Sequence, residues 1–295
     1  MASGVIVKAL AGFYYVQDGE RYVQCRARGL FREKKQTPLV GDQVIYEAEN
    51  ETEGYIMALK ARKNELSRPP VANIDQAILV FSAREPDLQL FLLDKLLIHI
   101  AIQEIDTLIV VTKIDLLEPS ARKHIAEQME VYREIGYQVL FTSAKDRVAV
   151  NDLCPYLANR ISVLAGQSGV GKSSLLNVLS PSLQLETNKI STHLGRGRHT
   201  TRHVELLPLF SGWIADTPGF SSLDFTAVAV EDVRFYFPEF VSRMDGCKYH
   251  GCLHDKEPAC AVKQAVANDE IAETRYKHYL QFLEEIRKQK RRYSR

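Results

Sequence analysis

A run of eight residues near the middle of the chain has the composition and spacing of a phosphate-binding loop. It reads Gly-Gln-Ser-Gly-Val-Gly-Lys-Ser and fits the pattern GxxxxGK(S/T), after an apolar strand and before a helix. The glycines let backbone N–H groups wrap around phosphates, and the helix N-terminus adds a positive dipole end. Lys172 should reach the β- and γ-phosphates, and the Ser173 hydroxyl should bind Mg²⁺. The predicted nucleotide contacts here are Gly166, Gln167, Ser168, Gly169, Val170, Gly171, Lys172, Ser173 and Ser174.

A second motif, Asp216-Thr217-Pro218-Gly219, follows another apolar stretch roughly forty residues later. It fits the DxxG pattern, in which Asp216 would hold Mg²⁺ through water and the Gly219 N–H would contact the γ-phosphate. In Ras-like enzymes a Gln next to this motif orients the attacking water. Phe220 stands there in this chain and cannot do so. Another residue must therefore position the water.

The segment between these motifs, residues 195–202, is rich in glycine and arginine and has the position of a switch loop. Thr200 or Thr201 is the predicted contact to Mg²⁺ and the γ-phosphate. His199 is the predicted residue for positioning the attacking water once the loop is ordered, and the alternative is a solvated loop histidine. Such a loop predicts slow turnover alone and stimulation by a partner that orders it.

The stretch Thr112-Lys113-Ile114-Asp115 ends an earlier apolar strand and resembles the guanine-reading element NKxD. The Asp115 carboxylate would accept the N1–H and 2-amino donors of guanine, and adenine offers neither, so GTP is preferred to ATP. Thr112 replaces the usual Asn and is expected to make fewer bridging hydrogen bonds. After the next strand, Ser143-Ala144 fits the short backbone element that contacts the guanine carbonyl.

The order of these elements along the chain differs from that of an ordinary GTPase. There the phosphate loop comes first and the guanine-reading elements last, whereas here Asp115 and Ser143 precede Lys172 and Asp216. Cutting the fold after DxxG and joining the old ends produces this order, and surface termini make such a permutation tolerable. The sequence therefore predicts a circularly permuted GTPase whose DxxG element leads directly into the C-terminal segment.

Three cysteines and two histidines crowd into a short stretch near the C-terminus. Such a cluster indicates metal binding rather than disulfide formation in a cytosolic protein. Three thiolates and one imidazole form a closed tetrahedral zinc set with a structural role. The predicted ligands are Cys247, Cys252, His254 and Cys260, and the spacing alone leaves His250 as a further candidate.

Three segments must position these residues. Residues 1–68 contain five short alternating runs separated by turn signals, which suit a small β-barrel such as an OB-fold. Residues 69–223 alternate apolar strands with helical stretches, and this rhythm predicts a doubly wound, mostly parallel sheet. Residues 224–295 hold the Cys/His cluster and a long helix expected from Asp269, so a helical zinc-binding domain is predicted. A Pro-Pro pair within residues 64–70 predicts a linker.

The bulk composition fits a globular protein without a membrane span. The chain has 295 residues, of which 45% are hydrophobic and 25% charged, and no apolar run approaches the ~18 residues of a membrane helix. We expect a cytoplasmic monomer. Because the net charge is only +1, contacts to RNA must come from local patches. The loop from Arg26 to Lys35 and the tail from Arg287 are candidates, and a solvated loop and a frayed helix end are the alternatives.

Together these residues resemble the RsgA family, also called YjeQ or YloQ, of circularly permuted GTPases in small ribosomal subunit biogenesis. The resemblance covers essentially the whole chain, and its C-terminal part is the most specific. It rests on Gly166–Ser173, Gly197–Arg202, Asp216–Gly219, Phe237-Pro238-Glu239-Phe240, the Cys/His cluster and Glu257–Lys263.

This resemblance implies an N-terminal OB-fold that binds RNA or the ribosome, a permuted GTPase domain and a C-terminal zinc domain. It implies GTP hydrolysis stimulated by the small ribosomal subunit late in its maturation, contact with rRNA, and release after hydrolysis. The implied cofactors are GTP or GDP, Mg²⁺ and one structural zinc ion. The family assigns zinc to Cys247, Cys252, His254 and Cys260, without His250, and a hydrolytic role to His199.

Two other functions compete with a ribosome-dependent GTPase. One is an RNA-binding assembly module whose GTPase domain only senses nucleotide, although Lys172, Ser173 and Asp216 argue against an inactive site. The other is a P-loop kinase or ATPase acting on a small molecule, against which Asp115 argues. GTP hydrolysis measured with and without small subunits distinguishes a ribosome-dependent GTPase from the RNA-binding module. Comparison of GTP with ATP binding distinguishes it from the kinase or ATPase.

Overall fold

The computed structural model describes most of the chain, in seven parts. These parts are residues 1–33, 36–50, 52–67, 70–181, 204–216, 225 and 228–293. Within them, no helix combines the length and the apolar character needed to traverse a lipid bilayer.

The N-terminal segment is a closed five-stranded barrel, as predicted. Its strands are β1 (Ala2–Leu10), β2 (Phe13–Asp18), β3 (Arg21–Ala27), β4 (Gln43–Ala48) and β5 (Glu53–Leu59). Their order is β1-β2-β3-β5-β4, and only the pairing of β3 with β5 is parallel. Alternate residues such as Val16, Val23 and Ile56 are fully buried and fill the barrel. Their neighbours point outward, which gives the strands the alternation visible in the sequence.

Two connections of the barrel contain secondary structure. The basic loop after β3 includes one helical turn, α1 (Leu30–Glu33). The prediction of a linker at residues 64–70 is wrong in part, because β6 (Glu65–Ser67) and β7 (Pro70–Ala72) form an antiparallel ribbon there. Leu66 and Val71 on this ribbon are buried. Their burial explains why the Pro-Pro pair does not produce a solvated linker.

The central segment is built on a six-stranded sheet with the order β10-β9-β8-β11-β13-β12. Its strands are β8 (Gln76–Ser82), β9 (Asp106–Thr112), β10 (Gln138–Phe141), β11 (Ile161–Ala165), β12 (Leu206–Leu209) and β13 (Gly212–Asp216). Every neighbouring pair is parallel except β12 and β13. All seven residues of β8 are buried, as expected for a parallel strand covered on both faces.

Helices cover both faces of this sheet, so the predicted doubly wound fold is confirmed. On one face, α2 (Leu90–Ala101) and α3 (Pro119–Glu134) pack on the residues of β8 that point to this face, such as Leu79. On the other face, α4 (Cys154–Leu157) and α5 (Lys172–Leu179) pack on the alternate residues such as Val80. The cluster on the α2 and α3 face is continuous with the interior of the N-terminal barrel.

The C-terminal segment is helical and contains α6 (Pro238–Val241), α7 (Ala261–Ala267) and α8 (Glu273–Tyr293). The long helix begins at Glu273 rather than at the expected Asp269, because Asp269 has a φ of 58°, in the left-handed region. An apolar cluster rich in aromatic side chains forms the core of this segment, including Phe225, Phe237, Phe240, Tyr279 and Phe282.

Candidate functional site

The carboxyl ends of four neighbouring strands meet at one edge of the sheet. The strand register pairs Ser82 with Thr112, Leu79 with Ala165, and Leu164 with Asp216. The phosphate loop follows Ala165 directly, so it lies between the strand that ends at Thr112 and the strand that ends at Asp216. Ligands of open α/β sheets bind at this edge. The fold thus brings sequence elements from both sides of the permutation to one place.

The phosphate loop has a backbone that glycine alone can adopt at its first position. Gly166 has a φ of 149°, and a Cβ there would lie 2.1 Å from the Val80 carbonyl oxygen. Lys172 begins α5, and its Nζ donates hydrogen bonds to the carbonyls of Gly166 at 2.8 Å and Gln167 at 2.7 Å. The ammonium is therefore held across the loop, beside the backbone N–H groups expected to receive phosphates.

The carboxylate of Asp115, which the sequence predicts to read guanine, is oriented by a neighbouring hydroxyl. Ser143 is fully buried, and its Oγ donates a hydrogen bond of 2.7 Å to Oδ1 of Asp115. The same Oγ accepts a hydrogen bond from the backbone N–H of Asp146 at 3.1 Å. Sequence reasoning expected Ser143 and Ala144 to contribute backbone only and missed this side-chain contact. Because Asp115 is held in one orientation, its second oxygen is available to a ligand.

Thr112, Lys113 and Ile114 connect this carboxylate to the phosphate loop. Thr112 is buried, and its Oγ1 donates a hydrogen bond to the carbonyl of Val170 in that loop. Lys113 adopts a left-handed conformation with a φ of 57°, and its Nζ donates to the carbonyl of Glu85. The threonine that replaces the usual Asn thus still bridges the two elements, through one hydrogen bond.

We expect Thr112→Val to weaken GDP binding about fivefold while the fold is kept. The substitution conserves shape but removes the bond that links β9 to the phosphate loop, and such a bond contributes about 1 kcal/mol. Isothermal titration with GDP measures the change. Thr107→Val, at the other end of β9, is the matched control and should bind like the wild type. An unaltered affinity in Thr112→Val would show that the bridge is dispensable.

Four predicted site residues lie outside the described part of the chain, namely His199, Thr200, Thr201 and Gly219. The backbone of Asp216 is described, and its register places it beside Leu164. The DxxG aspartate therefore lies on the strand next to the one that leads into the phosphate loop. The roles proposed for all five residues remain predictions from sequence.

The four predicted zinc ligands converge in the C-terminal segment. The ligand atoms of Cys247, Cys252, His254 and Cys260 lie within 4.8 Å of one another. The Cys247 and Cys260 sulfurs are 3.9 Å apart, and Nδ1 of His254 lies 3.6 Å and 3.3 Å from them. Ideal tetrahedral zinc bonds place two sulfurs about 3.8 Å apart. This donor set and its spacing therefore fit a zinc ion, whereas His250 is exposed and outside the group.

The protonation chemistry of the cluster also fits a metal. Burial lowers the pKa of His254 to about 4, which keeps its imidazole neutral and able to coordinate. Burial raises the pKa of the Cys252 thiol to about 12, so a cation is needed to hold it as a thiolate near neutral pH. Nε2 of His254 is buried and has no hydrogen-bond partner among the described residues. The other ring nitrogen faces the sulfurs.

Surrounding side chains fix the backbone of this loop. The hydroxyls of Tyr276 and Tyr279 donate to the carbonyls of His254 at 2.7 Å and Leu253 at 2.6 Å. The Glu257 carboxylate accepts from two backbone N–H groups, including that of Leu253 at 3.0 Å. The ligands are therefore held by α8 and by their own loop, as is common around structural metal sites.

The sheet order, the phosphate loop and the reversed order of the motifs define a circularly permuted P-loop GTPase. The RsgA GTPase family model matches residues 59–226, and the model of the RsgA N-terminal domain matches residues 3–56. The chain belongs to the RsgA GTPase family, as the sequence resemblance predicted, and it is a GTPase.

Relatives and solved structures agree along the full length. A small ribosomal subunit biogenesis GTPase RsgA from Shouchella clausii is 62% identical and covers 99% of this chain and 100% of its own. The RsgA protein of Geobacillus kaustophilus is 54% identical with the same coverage. The crystal structure of YloQ, a circularly permuted GTPase, covers 98% of this chain and 96% of its own, with 47% identity and a TM-score of 0.85. YjeQ from Thermotoga maritima covers 97% and 98%, with 36% identity and a TM-score of 0.87.

Proposed function

We propose that this GTPase acts in the biogenesis of the small ribosomal subunit, late in its maturation. In this proposal, the small subunit stimulates GTP hydrolysis, and hydrolysis releases the protein from the subunit. The observation that carries it is the full-length identity of 62% to a protein named for this process. In this proposal the protein also acts in the cytoplasm, as a monomer.

The nucleotide would lie along the carboxyl edge of the sheet. Asp115, held by Ser143, would accept the two guanine donors, and the phosphate loop with Lys172 would hold the phosphates. Ser173 and Asp216 are the residues that would hold Mg²⁺. When bound, this ion neutralises charge on the phosphates. GTP is then favoured over ATP because adenine would leave the Asp115 carboxylate without its two donors.

His199 is proposed to position the attacking water, and Thr200 or Thr201 to contact Mg²⁺ and the γ-phosphate. The support is their place between the two phosphate-binding motifs and the absence of a Gln at position 220, where Phe220 stands. A partner that binds this segment would complete the hydrolytic site. This would couple GTP hydrolysis to binding of the small subunit.

One structural zinc ion is proposed at the Cys/His cluster. Four protein ligands close the coordination shell, so no position is left for substrate, and the ion would serve to hold the loop from Cys247 to Cys260. The spacing of the ligand atoms and the neutral state of His254 support this proposal.

The N-terminal barrel is proposed to contact rRNA. The outer face of its strands carries a stacked pair, Tyr15 and Tyr22, and the guanidinium of Arg26 lies 4.8 Å from the ring centre of Phe13. Tyr55, which is paired with Arg26, is exposed. Exposed aromatic rings beside arginines suit stacking on unpaired bases, and OB-folds use the corresponding strands for oligonucleotides.

We expect small subunits to stimulate GTP hydrolysis strongly in the wild type and about a hundredfold less in His199→Ala, which is the usual scale for losing one positioning group. The rate of phosphate release against added small subunit measures this. His124→Ala, at an exposed position of α3, is the matched control and should be stimulated normally. If His199→Ala kept the stimulated rate, the hydrolytic role of His199 would be disproved. If the wild type were not stimulated, the ribosomal assignment would fail.

A further inference from the structure

A cluster of buried charges lies between the GTPase domain and the C-terminal segment. Asp94 on α2 is fully buried, and Glu239 on α6 and Arg275 on α8 are almost so. Arg275 donates to Oδ1 of Asp94 at 2.6 Å and to both oxygens of Glu239 at 2.8 and 3.1 Å. Glu239 belongs to the Phe-Pro-Glu-Phe motif, to which the nucleotide chemistry gives no role. One guanidinium therefore joins three helices across the boundary.

Further groups complete this cluster. The Tyr132 hydroxyl on α3 donates to Oδ1 of Asp94 at 2.7 Å, and Nδ1 of His278 on α8 donates to Oδ2 at 2.5 Å. The Arg275 guanidinium also lies 4.6 Å from the ring centre of Phe237. We call Asp94, Tyr132, Glu239, Arg275 and His278 the interdomain charge cluster. Buried ionic groups stabilise little compared with well-packed apolar groups, but they require one arrangement and are best attested in setting register and in switching.

Helix α2 connects this cluster to the phosphate loop. At its N-terminal end, Oε1 of Gln89 accepts a hydrogen bond of 3.3 Å from Nε2 of Gln167. Further along, Lys95 forms an ion pair of 2.6 Å with Glu285 on α8. His99 stacks on Phe225, which follows the DxxG strand in the chain and packs on Phe282. Helix α2 is therefore in contact with both the phosphate loop and the C-terminal segment.

The boundary is packed on the α2 side and open on the α3 side. On the α2 side, Phe91 stacks on Phe282 with ring centres 4.8 Å apart. On the α3 side, a crevice of about 420 Å³ separates Val131 and Glu134 from Pro238, Arg243 and Glu270. Glu239, one member of the charge cluster, lines this crevice. Opening at the crevice would expose Glu239 to water.

We propose that the interdomain charge cluster is a releasable lock between the GTPase domain and the C-terminal segment, and that the nucleotide at the phosphate loop sets the locked fraction. In the locked form, Arg275 pairs with Asp94 and Glu239 as described above. In the released form, these groups are hydrated and the C-terminal segment is displaced from α2 as well as α3, which also separates Lys95 from Glu285. The proposal requires nucleotide binding and does not depend on the ribosomal partner.

Carbodiimide cross-linking of the full-length protein tests the lock. The reagent activates the Glu285 carboxyl, Lys95 then forms an amide with it, and one carboxyl oxygen leaves with the reagent as a urea. Because their ion pair spans the boundary at 2.6 Å, the yield of the Lys95–Glu285 peptide reports the locked fraction. For the wild type, we expect yields that differ by about fivefold or more between GDP and a non-hydrolysable GTP analogue, the usual lower scale of coupling between sites.

Variants at Arg275 test whether the cross-link yield depends on the lock or only on the distance between Lys95 and Glu285. Arg275→Lys keeps the charge but loses the planar fork, and Arg275→Met removes both. In each, the yield should fall and should no longer follow the nucleotide, while GDP affinity stays within about twofold of the wild type. Arg243→Met, which breaks a partly exposed pair within the C-terminal segment, is the matched control and should behave like the wild type. If Arg275→Met fails to bind GDP, the cross-link yield of Arg275→Lys alone tests the lock.

Two outcomes would overturn the lock. One is a wild-type yield that is the same with GDP, with the analogue and without nucleotide, although binding of both is measured. The other is a yield in Arg275→Lys that follows the nucleotide as in the wild type. Neither outcome would affect the ribosomal proposal, which is tested by hydrolysis.

Discussion

Asp115→Asn is expected to weaken GTP binding by about a thousandfold and to bring the affinity for XTP above that for GTP. The Asp115 carboxylate accepts from the N1–H and the 2-amino group of guanine, whereas an amide NH₂ would face that amino group as a second donor. Xanthine has a carbonyl at this position, which the amide NH₂ can donate to. Buried polar mismatches of this kind give discrimination of four or more orders of magnitude in favourable sites, so about 10³ is a moderate expectation.

Competition of GTP, XTP and ATP against a fluorescent GDP measures the change in preference. Asp146→Asn is the matched control, because Asp146 follows in the same loop, is exposed, and contacts Ser143 only through its backbone N–H. It should bind GTP like the wild type. An Asp115→Asn protein that still prefers GTP would mean that the base is not read by this carboxylate. The placement of the nucleotide along the sheet edge would then be wrong.

Cys260→Ala is expected to abolish stoichiometric zinc binding and to destabilise the C-terminal segment by about 5 kcal/mol or more. Apparent binding free energies of structural zinc sites are about 10–16 kcal/mol, and much of this is folding free energy. Cys260 is central to the cluster, because its sulfur lies near those of its partners and also accepts from the backbone N–H of Lys263 at the start of α7. The aromatic core around Phe240 and Tyr279 should limit the damage to the loop and α7.

Zinc content by mass spectrometry and denaturant unfolding measure these effects. Cys154→Ala is the matched control, since Cys154 is partly exposed and lies outside the cluster. It should retain one zinc per chain. GDP affinity should be preserved in both variants, because the nucleotide residues belong to another part of the chain. A full equivalent of zinc with unchanged unfolding in Cys260→Ala would refute the site.

Local sequence patterns were sufficient for the strands of the barrel and the central sheet, and for the site residues that are recognisable from their own motif. Runs such as Ile161–Ala165 are apolar and β-branched, and the structure places a strand there with the same bounds. The backbone of the phosphate loop requires glycine at fixed positions of the motif, so Gly166 could be assigned a role without a structure. The types and spacing of the Cys and His residues alone predicted a metal site, and the structure brings the four side chains together.

Contacts between distant residues could not be predicted in this way. Asp94, Glu239 and Arg275 are far apart in the chain, and each alone has the pattern of an ordinary charged helix residue. Their burial depends on how α8 crosses α2, which no local periodicity encodes. The side-chain bond from Ser143 to Asp115 was missed for the same reason. The ribbon of β6 and β7 forms because Leu66 and Val71 are buried against the rest of the protein. This burial outweighs the local turn signal.

The continuity of the barrel interior with one face of the sheet bears on how this protein can be dissected. Val40 and Val71 form a backbone bridge within this one apolar cluster, and Lys8 on β1 pairs with Glu205 just before β12, in the backbone and through an ion pair of 2.9 Å. A fragment that starts after the barrel would leave apolar residues of the sheet in water. Excision of the catalytic core alone should therefore yield an aggregation-prone product. The minimal unit for biochemical work should include the barrel.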